Sequence, residues 1–229
     1  MSVNVFSDLN LNKKDSIYLL ILFVFSLLIT INLVLFNAKV GIFSSDVYVY
    51  LTNSLTYAGL NTNHIGDLHN MFLSPVICYL TSILFRLGVN KIISLFIITG
   101  CFGILCNIAM YVLLRNRFNS LLSLTGSMLF GSLSLTLFWW ANGTLDIPAL
   151  GLSIWAMIFT IIAVDKNPKY YLLALPIFVV AVFTRYTALF MLPLMFLYFL
   201  SKHDFFDWVD CFISDRDLFK KLLFDFFKS

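Results

Sequence analysis

Charge is what this sequence has least of. Only 12% of its 229 residues are Asp, Glu, Lys or Arg, about half the share of a soluble domain. A chain that is 60% hydrophobic and 17% aromatic cannot hide that much apolar surface from water, so the bilayer is its solvent. The net charge of +3 comes without a basic patch interleaved with aromatics, which excludes a nucleic-acid binder. Cysteine is scarce too. Cys78, Cys101, Cys106 and Cys211 lie in apolar or amphipathic segments without metal-ligand spacing, which excludes a zinc site or disulfide framework and leaves buried thiols acting as small hydrophobes. Two of the three histidines, His64 and His69, sit near Asp67 in a polar loop. Loop histidines are mostly solvated, so no metal is expected. Neither an internal repeat nor a low-complexity tract is present.

What the chain has instead is apolar runs. Residues 1–16 are polar and carry Lys13 and Lys14, and Ile17 to Phe36 is long enough to cross about 30 Å of hydrocarbon. Lysines before this run and none within it predict a retained signal-anchor with a cytoplasmic N-terminus. Ile92 to Leu114, Leu121 to Trp140 and Asp146 to Val164 read as further spans. The second is rich in small residues that permit close packing, and its Trp139-Trp140 pair is expected at a membrane interface. Asp146-Ile147-Pro148 is a helix start, because proline is accepted in a first turn. Met71 to Leu87 is short and polar for a span.

Parity decides the topology. If Lys13/Lys14, Arg115/Arg117, Lys166/Lys169 and Lys202 all face the cytoplasm, an even number of crossings separates them. Residues 71–87 are then a re-entrant or juxtamembrane helix on the outer face. Tyr170 to Leu200 becomes two short helices meeting near Arg185, each about 21 Å long. The rival single helix would leave that guanidinium in mid-membrane at a cost of roughly 2.5–3.5 kcal/mol. The predicted class is all-α: a polytopic transmembrane helix bundle over 17–200 with an outer-face juxtamembrane helical loop. Residues 201–229 read as a cytoplasmic amphipathic tail. Its capping box is Ser214 to Asp217, and its apolar stripe runs from Leu218 to Phe227.

The outer loop, 37–70, is the longest polar interruption. In it Asp46, Tyr50, Asn53 and Tyr57 recur at helical spacing, with Val47, Leu51 and Leu55 on a more apolar side. This predicts a short amphipathic helix along the membrane surface. Asp46 either faces a site or caps that helix with Ser44 and Ser45, and spacing alone favours the cap. Asp146 likewise reads first as a cap. Arg86 is expected to snorkel or to pair with a carboxylate at the interface, Asp67 being the candidate, and Asn142-Gly143-Thr144 to be a turn rather than a glycosylated sequon. Asp46, Asp146 and Arg185 share one membrane depth under this topology. A carboxylate can take the proton of an acceptor hydroxyl, and a guanidinium can hold a phosphate leaving group.

The order of these residues resembles that of the GT-C polytopic glycosyltransferases, which include protein O-mannosyltransferases and aminoarabinose transferases. The matching features are an N-terminal span followed by a loop aspartate (Asp46), a loose histidine-proline element (His69 to Pro75), a second acid in Thr144 to Pro148, and a basic residue in Phe183-Thr184-Arg185-Tyr186 through Leu192-Pro193. The resemblance implies a polyprenyl- or dolichyl-phosphate sugar donor, inverting transfer to an acceptor on the outer face, and no cofactor. Asp46 is then the general base and Asp146 an auxiliary acid, with Arg185, Tyr50, His69 and Asn142 as substrate-binding candidates. Relatives often carry a second acid after the loop aspartate, where this chain has Val47, and are about twice as long. The chain therefore reads as the N-terminal half of such an enzyme, with a further membrane subunit as a possible partner. A transporter or flippase subunit for a lipid-linked substrate, or a non-catalytic membrane partner, are the alternatives.

Overall fold

The computed structural model describes residue 9, residues 11–60 and residues 74–202, and every structural statement below concerns these residues. His64, Asp67, His69, Cys211 and the expected amphipathic tail lie outside them. The described residues form helices α1 (Lys13–Val40), α2 (Ser45–Ala58), α3 (Pro75–Arg86), α4 (Lys91–Arg115), α5 (Ser120–Ser132), α6 (Ser134–Trp140), α7 (Asp146–Asp165), α8 (Tyr171–Thr184) and α9 (Met191–Lys202). Short 3-10 turns at Pro168–Tyr170 and Tyr186–Phe190 precede α8 and α9. The protein is an all-α polytopic bundle. Helices α1, α4 and α7 are each long and apolar enough to cross a membrane, and α5 with α6 makes a fourth span if the pair is taken as one.

That fourth span is not straight. It bends by 68° where Leu133 turns extended after the Gly131-Ser132 pair, a combination of small residues at which helices kink. Helix α3 is only 12 residues long, about 18 Å and too short to cross; it packs against α2 and α4. The run from Tyr170 to Leu200 is split. Helix α8 stops at Thr184, Arg185 is extended, and α9 begins at Met191.

Most polar groups inside the bundle are paired, as a low-dielectric interior demands; among the described residues Asn107 Oδ1, Ser153 Oγ and the Tyr171 hydroxyl are buried without a partner. Trp140 is fully buried within the bundle. Its Nε1 donates to Thr30 Oγ1 at 2.9 Å, and Thr30 Oγ1 donates to the Gly100 carbonyl at 3.3 Å. The indole lies against Gly103, where a Cβ would come within 2.4 Å of the ring. Bulk thus goes where a glycine leaves room, and the ring's one polar atom finds a partner. Asn107 donates to Ser26 Oγ at 2.8 Å, again between α4 and α1. Of the described cysteines, Cys78 and Cys106 are buried as expected, but Cys101 is exposed on the outer side of α4, where a thiol beside lipid costs little.

The two ends of the bundle differ. At one, Asp15 of α1 accepts from Arg115 Nε at 2.8 Å and from the Tyr111 hydroxyl at 2.6 Å. Asp15 also closes a capping box with Asn12. Asp165 at the end of α7 pairs with Lys202 of α9. Lys13, Lys14, Arg117, Lys166 and Lys169 flank these groups in sequence. At the other end lie Asp46, Asp146 and Arg185, one length of α7 away, about 30 Å.

Asp15 is fully buried and Arg115 nearly so, and removing one partner of such a pair leaves a charge without compensation. Asp15→Asn is expected to lower stability in detergent by about 3 kcal/mol. Lys39→Gln, on an exposed position of α1, should change it by less than about 0.5 kcal/mol. Equal melting temperatures for wild type and Asp15→Asn would remove the pair from the account.

Candidate functional site

The break after Thr184 builds the site. A helix end leaves carbonyls without intrahelical donors, and two of these are taken by Ser74. Its N–H bonds the Phe183 carbonyl at 2.9 Å and its hydroxyl donates to the Thr184 carbonyl. Ser74 sits in the left-handed region with φ of 53°, directly before Pro75, a conformation that costs of order 1 kcal/mol and needs such anchoring. One residue therefore starts α3 and closes the end of α8. Arg185 then leaves the helix axis with φ −153° and ψ 123°, which carries its side chain to the rim of the bundle.

There Arg185 Nη1 donates to Asp146 Oδ2 at 2.9 Å. Asp146 is the first residue of α7, and the cap position, Leu145, makes no side-chain cap bond. The expectation of a helix cap at Asp146 is thus replaced by an ion pair: its carboxylate turns to the guanidinium. Both side chains are about one-third exposed, so the pair contributes roughly 0–1 kcal/mol to stability. Its effect is positional. A guanidinium has five N–H donors, and no other hydrogen bond from this one reaches a described residue.

Helix α2 supplies the facing wall. Ser44 caps it, its hydroxyl accepting from the Asp46 N–H at 3.3 Å. Asp46 is therefore not the cap. Its carboxylate is exposed and accepts no hydrogen bond from the described residues. The helix is turned differently from the expected surface orientation. Val47, Tyr50, Asn53 and Ser54 are buried, because α2 packs this face against α3, where Ile77 and Cys78 meet Val47 and Tyr50. Tyr57 packs edge-on to Tyr79 with centroids 6.3 Å apart. Arg86 donates to the Tyr57 carbonyl at 2.7 Å; its candidate partner Asp67 lies outside the described residues.

Between α2 and the α8 break lies a cavity of about 360 Å³. Asp46, Val49 and Tyr50 line one side, and Val182 to Tyr186 the other. Burial pushes the Tyr50 hydroxyl up to about 12; the charges of Asp46 and Asp146 add to this and Arg185 opposes it. Tyr50 is thus a neutral hydrogen-bond donor at any physiological pH. The structure brings together Asp46, Tyr50 and Arg185 around one cavity and attaches Asp146 behind the guanidinium. It does not bring Asn142 there. The Asn142 Oδ1 accepts from the Thr144 N–H at 3.0 Å and the Thr144 hydroxyl at 2.8 Å, while its Nδ2 donates to the Phe138 carbonyl, so this buried amide is used up in the turn that launches α7. Ser74 and Thr184 are the positions missed by sequence reasoning. The Ser-Pro start of α3 was the available signal, but its partner lies 110 residues away.

A carboxylate open to solvent, a tyrosine fixed as a donor and a guanidinium with donors to spare can receive a proton and hold an anion side by side. On helices that cross a membrane, this chain is a multi-pass membrane glycosyltransferase of the GT-C type. Residues 73–210, more than half of the chain, match the dolichyl-phosphate-mannose-protein mannosyltransferase family, and the chain belongs to that family. The matched stretch includes Asp146 and Arg185; Asp46 and Tyr50 precede it. No curated protein and no solved structure matches the chain.

If Asp146 holds the guanidinium, Asp146→Asn should release it. Dicarbonyl modification of Arg185, followed by mass spectrometry of its peptide, is expected to run several-fold faster in that variant. An unchanged rate would mean the ion pair does not restrain the side chain.

Proposed function

We propose that this chain transfers mannose from dolichyl-phosphate-mannose, or a polyprenyl-phosphate counterpart, to a hydroxyl of a protein acceptor on the outer face of the membrane. The observation that carries the reading is the meeting of Asp46, Tyr50 and Arg185 around one cavity at one end of the bundle. Asp46 takes the proton of the acceptor hydroxyl as its oxygen attacks the anomeric carbon from the side opposite the phosphate. The bond from that carbon to the phosphate oxygen breaks, and the electron pair leaves on the lipid phosphate, where the guanidinium of Arg185 offsets the charge. The configuration inverts. Tyr50 donates to the sugar or the phosphate. Asp146 acts by aiming Arg185, in place of the auxiliary acid that the resemblance implies.

Two further features support a lipid donor and this orientation. Behind Asp146 a second cavity of about 240 Å³ runs between α7 and α9, with Leu150, Met191 and Leu194 in its wall. It suits the first isoprene units of a donor whose phosphate rests on Arg185. Lys13, Lys14, Arg115, Arg117, Lys166, Lys169 and Lys202 belong to the end away from the site, against Lys39, Arg86, Lys91 and Arg185 at the site end. By the positive-inside bias the former end, with the N-terminus, is cytoplasmic.

The test is transfer of labelled mannose from dolichyl-phosphate-mannose to a serine- or threonine-rich peptide by membranes containing the chain. Asp46→Asn should cut turnover by roughly 10²- to 10⁴-fold, the usual contribution of a general base. Arg185→Gln should cost roughly 10²- to 10³-fold. Full turnover by Asp46→Asn would reject the assigned base, and labelling of a cysteine at 46 only from the cytoplasm would reject the orientation.

A further inference from the structure

The end of the bundle away from Arg185 holds a second cavity, also about 360 Å³, between the end of α4 and the ends of α7 and α9. Arg117, Asp165, Tyr198 and Lys202 give it a polar rim, and Leu113 and Ile161 an apolar floor. Two of the charges are mutually engaged: Lys202 Nζ lies 3.3 Å from Asp165 Oδ1, and the Tyr198 hydroxyl donates to Asp165 Oδ2 at 2.7 Å. Arg117 is different. Its neighbour Arg115 is held by Asp15 and the Phe118 carbonyl, whereas the guanidinium of Arg117 makes no hydrogen bond or ion pair with a described residue. The site therefore carries an excess positive charge with forked donors pointing into a space large enough for a phosphate ester.

The space does not end at the rim. Leu113 and Tyr198 are shared with an adjoining groove of about 550 Å³ between α7 and α9, whose wall includes Met157, Leu194 and Leu197. That groove is almost wholly apolar, and α7, one of its walls, is long and apolar enough to cross a membrane. A cationic cavity at the headgroup level opening into an apolar channel along the chain direction has the two halves of an amphiphile.

We infer that this end binds an anionic membrane phospholipid, its phosphate between Arg117 and Lys202 and one acyl chain in the groove between α7 and α9. The inference rests on that geometry and on neither Asp46 nor Arg185, although Met191 and Leu194 also wall the cavity given above to the isoprene units. A soluble phosphate has no use for the groove, and a zwitterionic lipid gains less from the surplus charge. Asp165 competes with the ligand for Lys202, so removing its charge should strengthen binding.

The full chain is reconstituted in bilayer discs of equal parts phosphatidylglycerol and phosphatidylcholine, and the lipids that stay with it are counted by native mass spectrometry. A basic residue near an anionic lipid strengthens association about fivefold. Wild type is expected to retain the phosphatidylglycerol at least fivefold over phosphatidylcholine. Arg117→Gln with Lys202→Gln should bring the ratio near one, and Asp165→Asn should raise it, a change of opposite sign that a merely damaged fold would not give. Unchanged preference in the double variant overturns the inference. A lowered ratio in Asp165→Asn, or full displacement of the lipid by inorganic phosphate, overturns it as well.

Discussion

A charged side chain at a membrane boundary must be given a partner or a route to water, and the arrangement around Arg185 follows from that requirement. Continuing α8 as one helix would carry the guanidinium into hydrocarbon. Ending the helix at Thr184 avoids this but exposes carbonyls that lipid cannot satisfy. Ser74 supplies the donors, and in doing so fixes the start of α3 against the end of α8. Asp146 then meets the guanidinium from α7. The broken helix, the short helix α3 and the ion pair are thus one solution to one electrostatic problem. The cavity exists because the chain leaves the helix there.

The same constraint explains why the interior is closed by small residues and single hydrogen bonds. Between α1, α4 and α6, Trp140 sits on Gly103 and bonds Thr30. Asn107 of α4 bonds Ser26, and its amide carbon lies 3.4 Å from where a Cβ on Gly131 of α5 would be. Each contact couples a polar group to a partner on another helix, so helix register is set by geometry rather than by hydrophobic attraction, which lipid chains compete away. A bundle held in this way keeps its two ends about 30 Å apart and chemically distinct. That separation is what confines Asp46, Asp146 and Arg185 to one end.

Much of this was legible in the residues. Apolar run lengths marked α1, α4 and α7, and the cost of a buried arginine predicted the break at Arg185. The polar interruptions of 71–87 marked it as short for a span, and α3 has 12 residues. Other features were not legible, for reasons that differ. Burial of Trp140 was not legible because its partners, Thr30 and Gly103, lie on other helices far away in the chain. Tyr50 and Asn53 were assigned to a surface face because helical periodicity gives which residues share a side and not which partner that side meets; α3 decided it. Asp46 and Asp146 both resembled caps, and only three-dimensional placement separates them. One stands open over the cavity, the other is paired to Arg185.

The distinction between those two carboxylates bears on how the site divides its work. Two acids in one cavity would repel, and one would be held protonated. Here the guanidinium separates them: it pairs with Asp146 and leaves Asp46 the site's one carboxylate without a partner among the described residues. Pairing also fixes the direction of the guanidinium before any phosphate arrives, so less ordering remains when an anion docks. Tyr50, kept neutral by burial, adds a donor that brings no charge of its own. An anion can therefore be received on one wall and a proton on the other, with no like-charge conflict between them. A loop aspartate and a mid-run arginine, 139 positions apart in the chain, have a common purpose only in that arrangement.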